Sequence, residues 1–332
     1  MINTKAFKTR SEIIEKKLPR INGNNQYKGK TIVALDIGYS GVKGASPNRV
    51  FTFPSYAKKT PKDLDVVGKV RPSDIQLRND KTGECWLVGQ AAETMMDQVD
   101  IESTTDASLY TRYRYDSEVF KVLAMTGMAL GLWGTGSGND IYLQTGLPAT
   151  YKDRDEGKIV SALCGDYAVS IKVGSQLRTW EYGSLEATQK ALDENHIDVM
   201  EQPQGTLCAT AYDNGVVSQM GKDILRSNSI ILDIGFGTED IFSIRSGYKN
   251  AHQTYSDTGM RAVFEAVIKQ LQADHKNYAL ETKIFELQRY MENGEGQLPE
   301  GAFQYRDGSL PGRSLGDGNR GRYNNHPDRR LR

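Results

Sequence analysis

The chain has 332 residues, 38% apolar and 25% charged, enough to bury the cores of two domains and unlike a fibrous or collagen-like chain. Its 42 Lys and Arg balance 42 Asp and Glu, so no overall field favours nucleic acid or an anionic membrane, and any such contact must be local. Cys85, Cys164 and Cys208 lie far apart without a Cys-x-x-Cys pair, which argues against a zinc site or a secreted disulfide framework and for a reducing cytoplasm.

Residues 1–30 hold eight Lys or Arg against Glu12 and Glu15 and read as a flexible basic arm, either a solvated extension or a tether. The opening MINTKAFKTRSEIIEKKLPR has no continuous apolar segment. No run approaches the roughly 18 residues that span a bilayer, so neither a signal peptide nor a transmembrane helix is expected.

From Thr31, TIVALDIG is a β-branched apolar run closed by glycine, the pattern of a buried strand entering a turn. VKGASPNRVFTFPS continues it as a hairpin that breaks at Pro54, and residues 60–80 read as polar and irregular. ECWLVGQAAETMM predicts a strand leading into a helix. Ser117–Gly134 has helical apolar spacing and a glycine-rich stop. DIYLQTGLP, Asp140–Pro148, is a second buried strand with a proline stop, and the KIVSALCGDYAVSIKV segment follows.

HIDVMEQPQGTLCATAYD predicts strand, loop and small-residue helix, and SIILDIGFGTEDIFSI a strand, a Gly-rich turn and a return strand. After Thr258 a helix is expected with Val263, Phe264, Val267, Ile268 and Leu271 on one face. Alternating strands and helices favour an α/β architecture.

Two segments repeat one design: LDIGYSGVKG at 35–44 and LDIGFGTEDI at 232–241. Each is an apolar strand, Asp-Ile-Gly, a tight polar turn and a return strand. Small residues in such a turn let backbone N–H groups approach phosphate oxygens, and an Asp at the strand end can face a hydrated metal. A single Asp-x-Gly is usually only a β-turn; two copies with the same preceding strand are harder to dismiss. Neither is a Walker loop, which ends Gly-Lys-Ser/Thr, nor a dinucleotide G-x-G-x-x-G, which opens a helix.

With these motifs the chain resembles the superfamily of actin, the DnaK-type chaperones and the sugar kinases, and within it the ParM and StbA group, through GLP, PQG and SDTGMRAVF. The resemblance covers about residues 31–295. It implies an actin-like ATPase fold of two RNase H-like domains with a nucleotide cleft between them. The expected organisation is the arm at 1–30, a first domain at 31–150, a second, incomplete domain at 151–297 and an atypical tail at 298–332.

By position in the motifs, Asp36 is expected to hold Mg2+ through water. Gly38, Tyr39, Ser40, Gly41 and Lys43 are expected to form the first phosphate hairpin, and Asp233, Gly235, Phe236, Gly237 and Thr238 the second. Asp233 is also expected to approach the metal through water and to orient or deprotonate the attacking water. Gln204 falls where relatives place the Glu or Gln that positions that water. Asp257, Thr258 and Gly259 form a turn that either approaches the nucleotide or simply caps the next helix.

The resemblance implies slow hydrolysis of ATP or GTP with Mg2+, head-to-tail self-assembly, a centromere-binding adaptor, indirect DNA contact, no membrane contact and a cytoplasmic location. A small-molecule kinase and a non-catalytic nucleotide-binding scaffold are the alternatives. The family's Gly-rich adenosine turn and C-terminal helix find no counterpart here. The segment from Leu298 has seven Arg, no Lys and no Val or Ile, and it reads as disordered. Either a reading-frame change or truncation near 297 replaced the native end, or this is a genuine basic tail.

Overall fold

The computed structural model describes residues 11–17, 29–62, 64, 66, 68–96, 113–135, 140–179, 188–213, 216–256, 258–274, 284 and 287. The chain divides into two compact units, Lys8–Ala266 and Met1–Phe7 with Val267–Arg332. In the second unit Leu271 and Leu287 are buried. The first carries every described strand.

Its first sheet has the order β1 (Glu12–Glu15), β4 (Arg49–Pro54), β3 (Gly41–Ser46), β2 (Thr31–Ile37), β8 (Ile141–Leu147) and β11 (Ile197–Glu201). β2, β3 and β4 form an antiparallel meander, and β8 and β11 run parallel to β2. Parallel neighbours require crossovers. The crossovers carry α2 (Glu118–Leu132) between β4 and β8, and α3 (Lys152–Leu163) between β8 and β11.

The second sheet is antiparallel, in the order β10 (Thr188–Leu192), β9 (Gly165–Val173), β6 (Ile75–Asn79), β7 (Cys85–Val88) and β5 (Ala57–Thr60). Helix α1 (Gln90–Met95) follows β7. α2 packs against β2 and β3 of one sheet and β9 of the other. That accounts for a helix apolar on nearly every face, with Phe120, Leu123, Met128 and Leu130 sealed from solvent. Its glycines permit the approach: a Cβ at Gly127 would lie 2.4 Å from Leu35 Cδ1, and one at Gly131 would lie 2.7 Å from Val33 Cγ1.

After β11 come α4 (Gln202–Ala211), the two-residue strands β12 (Tyr212–Asp213) and β13 (Val216–Val217), and α5 (Gln219–Arg226). A third sheet, the meander β14 (Ser229–Ile234), β15 (Glu239–Arg245) and β16 (Tyr248–Tyr255), is followed by α6 (Met260–Asp274).

The structure differs from the sequence reading at several points. Glu12–Glu15, expected in the arm, pairs with β4, Ile13 opposite Phe51 and Ile14 opposite Val50. Ile75–Asn79, expected irregular, is a strand with Ile75 and Leu77 fully buried. Residues 151–201, expected in the second domain, supply β9 and β10 to the second sheet and β11 to the first. Helix α4 follows β11 without the expected loop, Pro203 fitting its first turn, where no backbone donor is needed. On α6, Phe264 is buried but Val263 is exposed. The tail at 298–332 and most of the arm lie outside the described residues.

Candidate functional site

The two LDIG segments fold alike. Gly38 N–H donates to Gly41 O at 3.0 Å, and Gly235 N–H donates to Thr238 O at 2.8 Å, so each Asp-Ile-Gly closes the same tight turn between antiparallel strands. A Cβ at Gly38 would lie 2.7 Å from Gly41 O, which explains the glycine there. The turns also meet: a Cβ at Gly237 would lie 2.6 Å from Tyr39 Cδ2. A cavity of about 730 Å³ opens between them, lined by Asp36, Gly38, Tyr39, Ser40, Gly41 and Lys43 from the first hairpin and Asp233, Gly235, Phe236, Gly237 and Thr238 from the second. That size is typical of small-molecule sites.

Asp36 lies opposite Lys43 in the β2–β3 ladder and accepts from Gln202 Nε2 at 3.1 Å. Burial raises the Asp36 carboxyl above the ordinary carboxylate value; Lys43, the Gln202 amide and Arg114 draw it down, and Asp233 pushes it up. Asp233 accepts from Thr206 Oγ1 at 3.3 Å. Asp240 faces Asp233 across the second hairpin. It accepts from Ala149 N–H at 2.9 Å, from Thr254 Oγ1 and from Thr238 Oγ1. Its carboxyl is also raised, chiefly by burial. Asp240 therefore ties the second hairpin to the turn after β8.

Gln204 does not join this group. It lines a separate depression with Gln144, Lys152 and Glu201, while Gln202, two residues earlier, reaches Asp36. Residues i and i+2 on a helix point about 200° apart, so only one of the pair can face the cavity. Gly259 supports the second turn from behind. A Cβ there would lie 2.7 Å from Phe236 O, and the next two amides, of Met260 and Arg261, donate to Gly235 O and Phe236 O. Those donors are engaged by the protein's own carbonyls. Asp257 lies outside the described residues.

Sequence reasoning missed Gln202, Thr206 and Arg114. The first two stand one helical turn apart at the start of α4, at i and i+4, a spacing legible once the helix start is known. No group of three or more His, Cys, Asp or Glu side chains able to hold a metal occurs among the described residues. Magnesium is commonly held by one or two carboxylates with phosphate and water oxygens. Asp36 and Asp233, close enough for the charge of one to raise the proton affinity of the other, suit that ion. No helix among the described residues is long and apolar enough to cross a membrane.

Residues 34–205 match the family model for the actin-like proteins N-terminal domain. Among solved structures the chain is similar to a non-polymerisable quadruple mutant of pCBH ParM, at 19% identity over 83% of this chain and 79% of that one, TM-score 0.57. It is similar also to a 15-stranded ParM filament from Clostridium botulinum, at 18% identity over 84% and 81%, TM-score 0.56. The apo psk41 ParM protein matches at 20% identity over 80% and 77%, TM-score 0.51. No curated protein matches the sequence. At these identities the likeness is one of fold, and that fold is actin-like.

Proposed function

The chain belongs to the actin-like protein family, and on that premise we propose that it is a nucleotide-driven, polymerising ATPase of the cytoplasm that segregates or positions plasmid DNA. One observation carries the nucleotide reading: two turns of the same construction meet at Tyr39 and Gly237, with Asp36 and Asp233 lining one cavity between them. Phosphoryl transfer asks little covalent chemistry of a protein and much alignment and charge neutralisation, which suits such a pair.

In this reading Gly38–Gly41 and Gly235–Thr238 cradle the phosphate chain with backbone amides, and Lys43 supplies a cation at its edge. Asp36, oriented by Gln202, would face hydrated Mg2+, which would supply charge neutralisation for the phosphates. Asp233, held by Thr206, orients the attacking water. Gln202 takes the place first assigned to Gln204, because Gln202 lines the cavity. Filament formation draws on family membership and on the likeness to a ParM filament, and it requires a head-to-tail contact that does not close. A centromere-binding adaptor then carries the DNA contact.

Ninety-degree light scattering with ATP and Mg2+, followed together with phosphate release and repeated with GTP, tests the proposal. Scattering that rises and then decays as phosphate appears is expected; a flat trace without phosphate release contradicts it. A second reading, a nucleotide-binding scaffold without turnover, is favoured by the exposure of Ile230, Leu232 and Ile234 beside the second turn. Nucleotide binding without phosphate release would select it.

A further inference from the structure

Arg114 precedes α2 in a single 3-10 turn, Arg114–Asp116, and it is only 5% exposed. Its Nη2 donates to Ile37 O at 2.5 Å and to Gly38 O at 3.2 Å, the two carbonyls that open the first turn. Ser55 Oγ donates to the same Gly38 O at 2.8 Å. The guanidinium lies 4.4 Å from the centre of the Tyr39 ring and 5.4 Å from that of Phe120. Its Nε is buried without a hydrogen-bond partner, and among the described residues no carboxylate forms an ion pair with it.

A buried cation is costly, and neutral carbonyls, ring faces and the Asp36 carboxylate, which feels its charge without forming an ion pair, offset only part of that cost. The same side chain lines the cavity. The Tyr39 ring that stacks with Arg114 is also the ring that meets Gly237 of the second turn. Arg114, Tyr39 and Gly237 therefore form a continuous line from one turn to the other.

We infer that Arg114 is a positioning residue and the fixed counter-charge for the ligand's phosphate chain: it sets the first turn through Ile37 O and Gly38 O, and it sets the separation of the two turns through Tyr39. The inference rests on the nucleotide reading above and adds to it the residue that makes the site selective for a phosphate chain. The directly contacting anion is supplied by the ligand. An Arg suits the position because its planar fork reaches two carbonyls while its face stacks on the ring; a Lys keeps the charge and loses the fork.

The test is equilibrium binding of Mg-ATP, Mg-tripolyphosphate and adenosine to the full chain, for the unaltered protein, Arg114→Met and Arg114→Lys, with circular dichroism as a check on folding. Arg114→Met is expected to weaken ATP and tripolyphosphate about tenfold or more while adenosine binding stays unchanged, and Arg114→Lys to recover part of the loss. Equal binding of tripolyphosphate by all three proteins overturns the inference, as does an equal loss for adenosine, which would mark a general structural role. If Arg114→Met does not fold, Arg114→Lys decides: partial loss of tripolyphosphate with adenosine intact supports the inference, and unaltered binding overturns it. If the unaltered protein binds neither ATP nor tripolyphosphate, the nucleotide reading has failed first.

Discussion

The two LDIG hairpins share a sequence and a turn, yet they live in opposite surroundings. In the first, Val33, Leu35 and Ile37 are 0%, 2% and 7% exposed; at the matching positions of the second, Ile230, Leu232 and Ile234 are 70%, 55% and 56% exposed. Around the first, α2 lies against β2 and the strands β8 and β11 extend the sheet beyond it. In the second, β14 is an edge strand, and α4 packs on the third sheet, its Thr206 reaching Asp233. The same turn therefore recurs with Asp-Ile-Gly in both surroundings, whereas burial of the flanking strand depends on what the rest of the chain brings to it. The same turn geometry thus persists in a sheet whose outer face is open.

The largest expected effect separates the two directly. Leu35→Ala should destabilise the protein by about 2–5 kcal/mol, as for other truncations of sealed leucines. Leu232→Ala should stay within about 0.5 kcal/mol, as for exposed positions. Denaturant unfolding measures both, and equal costs would mean that the outer face of β14 is covered in solution.

A smaller loss is expected at the contact that buries β2. Gly127→Ala places a methyl 2.4 Å from Leu35 Cδ1, and overpacking of this kind costs about 1–3 kcal/mol. The double variant Gly127→Ala with Leu35→Ala should then cost less than the sum of the singles, because the added methyl enters the space that Leu35 leaves. Strict additivity would show that the helix does not lean on that side chain.

The smallest effect lies in pH dependence. Burial raises the Asp36 carboxyl above the ordinary value of 3.8, so the folded state holds this proton more tightly than the unfolded state. Its contribution is present in full below pH 3.8 and is lost as pH rises through the raised value. Asp36→Asn should flatten the decline of stability with pH in that window and leave the ligand-free protein somewhat more stable at neutral pH, while weakening Mg-nucleotide binding. A stability profile identical to that of the unaltered chain would contradict the burial of this carboxyl.

Much of this was legible in the sequence because the hairpin motif is local. Asp36, Gly38, Asp233 and Gly235 could be named from two short strings, because each turn closes within a few residues of its own Asp-Ile-Gly. The paired partner of a polar strand could not be. Glu12–Glu15 becomes a strand because β4 offers an edge to it, and Tyr248–Tyr255, a polar string, becomes one by extending the β14–β15 hairpin. Ile75–Asn79 has three buried residues in a row, Ile75, Gln76 and Leu77, because β6 is central in its sheet, which hides the alternation expected of a half-exposed strand.

The exchange of Gln204 for Gln202 has a different origin. The glutamines are two residues apart, and which one faces Asp36 depends on where α4 begins, a boundary that sequence fixes only to a few residues. Arg114 carried no local signal, because its role arises from carbonyls 77 and 76 residues away in sequence.

Whether the two turns grip one ligand together, as proposed, is decided by amide hydrogen exchange of the full chain with and without Mg-ATP. Slower exchange is expected at both Tyr39–Gly41 and Phe236–Thr238 when nucleotide is added, with the outer residues of β14 unchanged. Protection at one turn alone, or at neither, would contradict it.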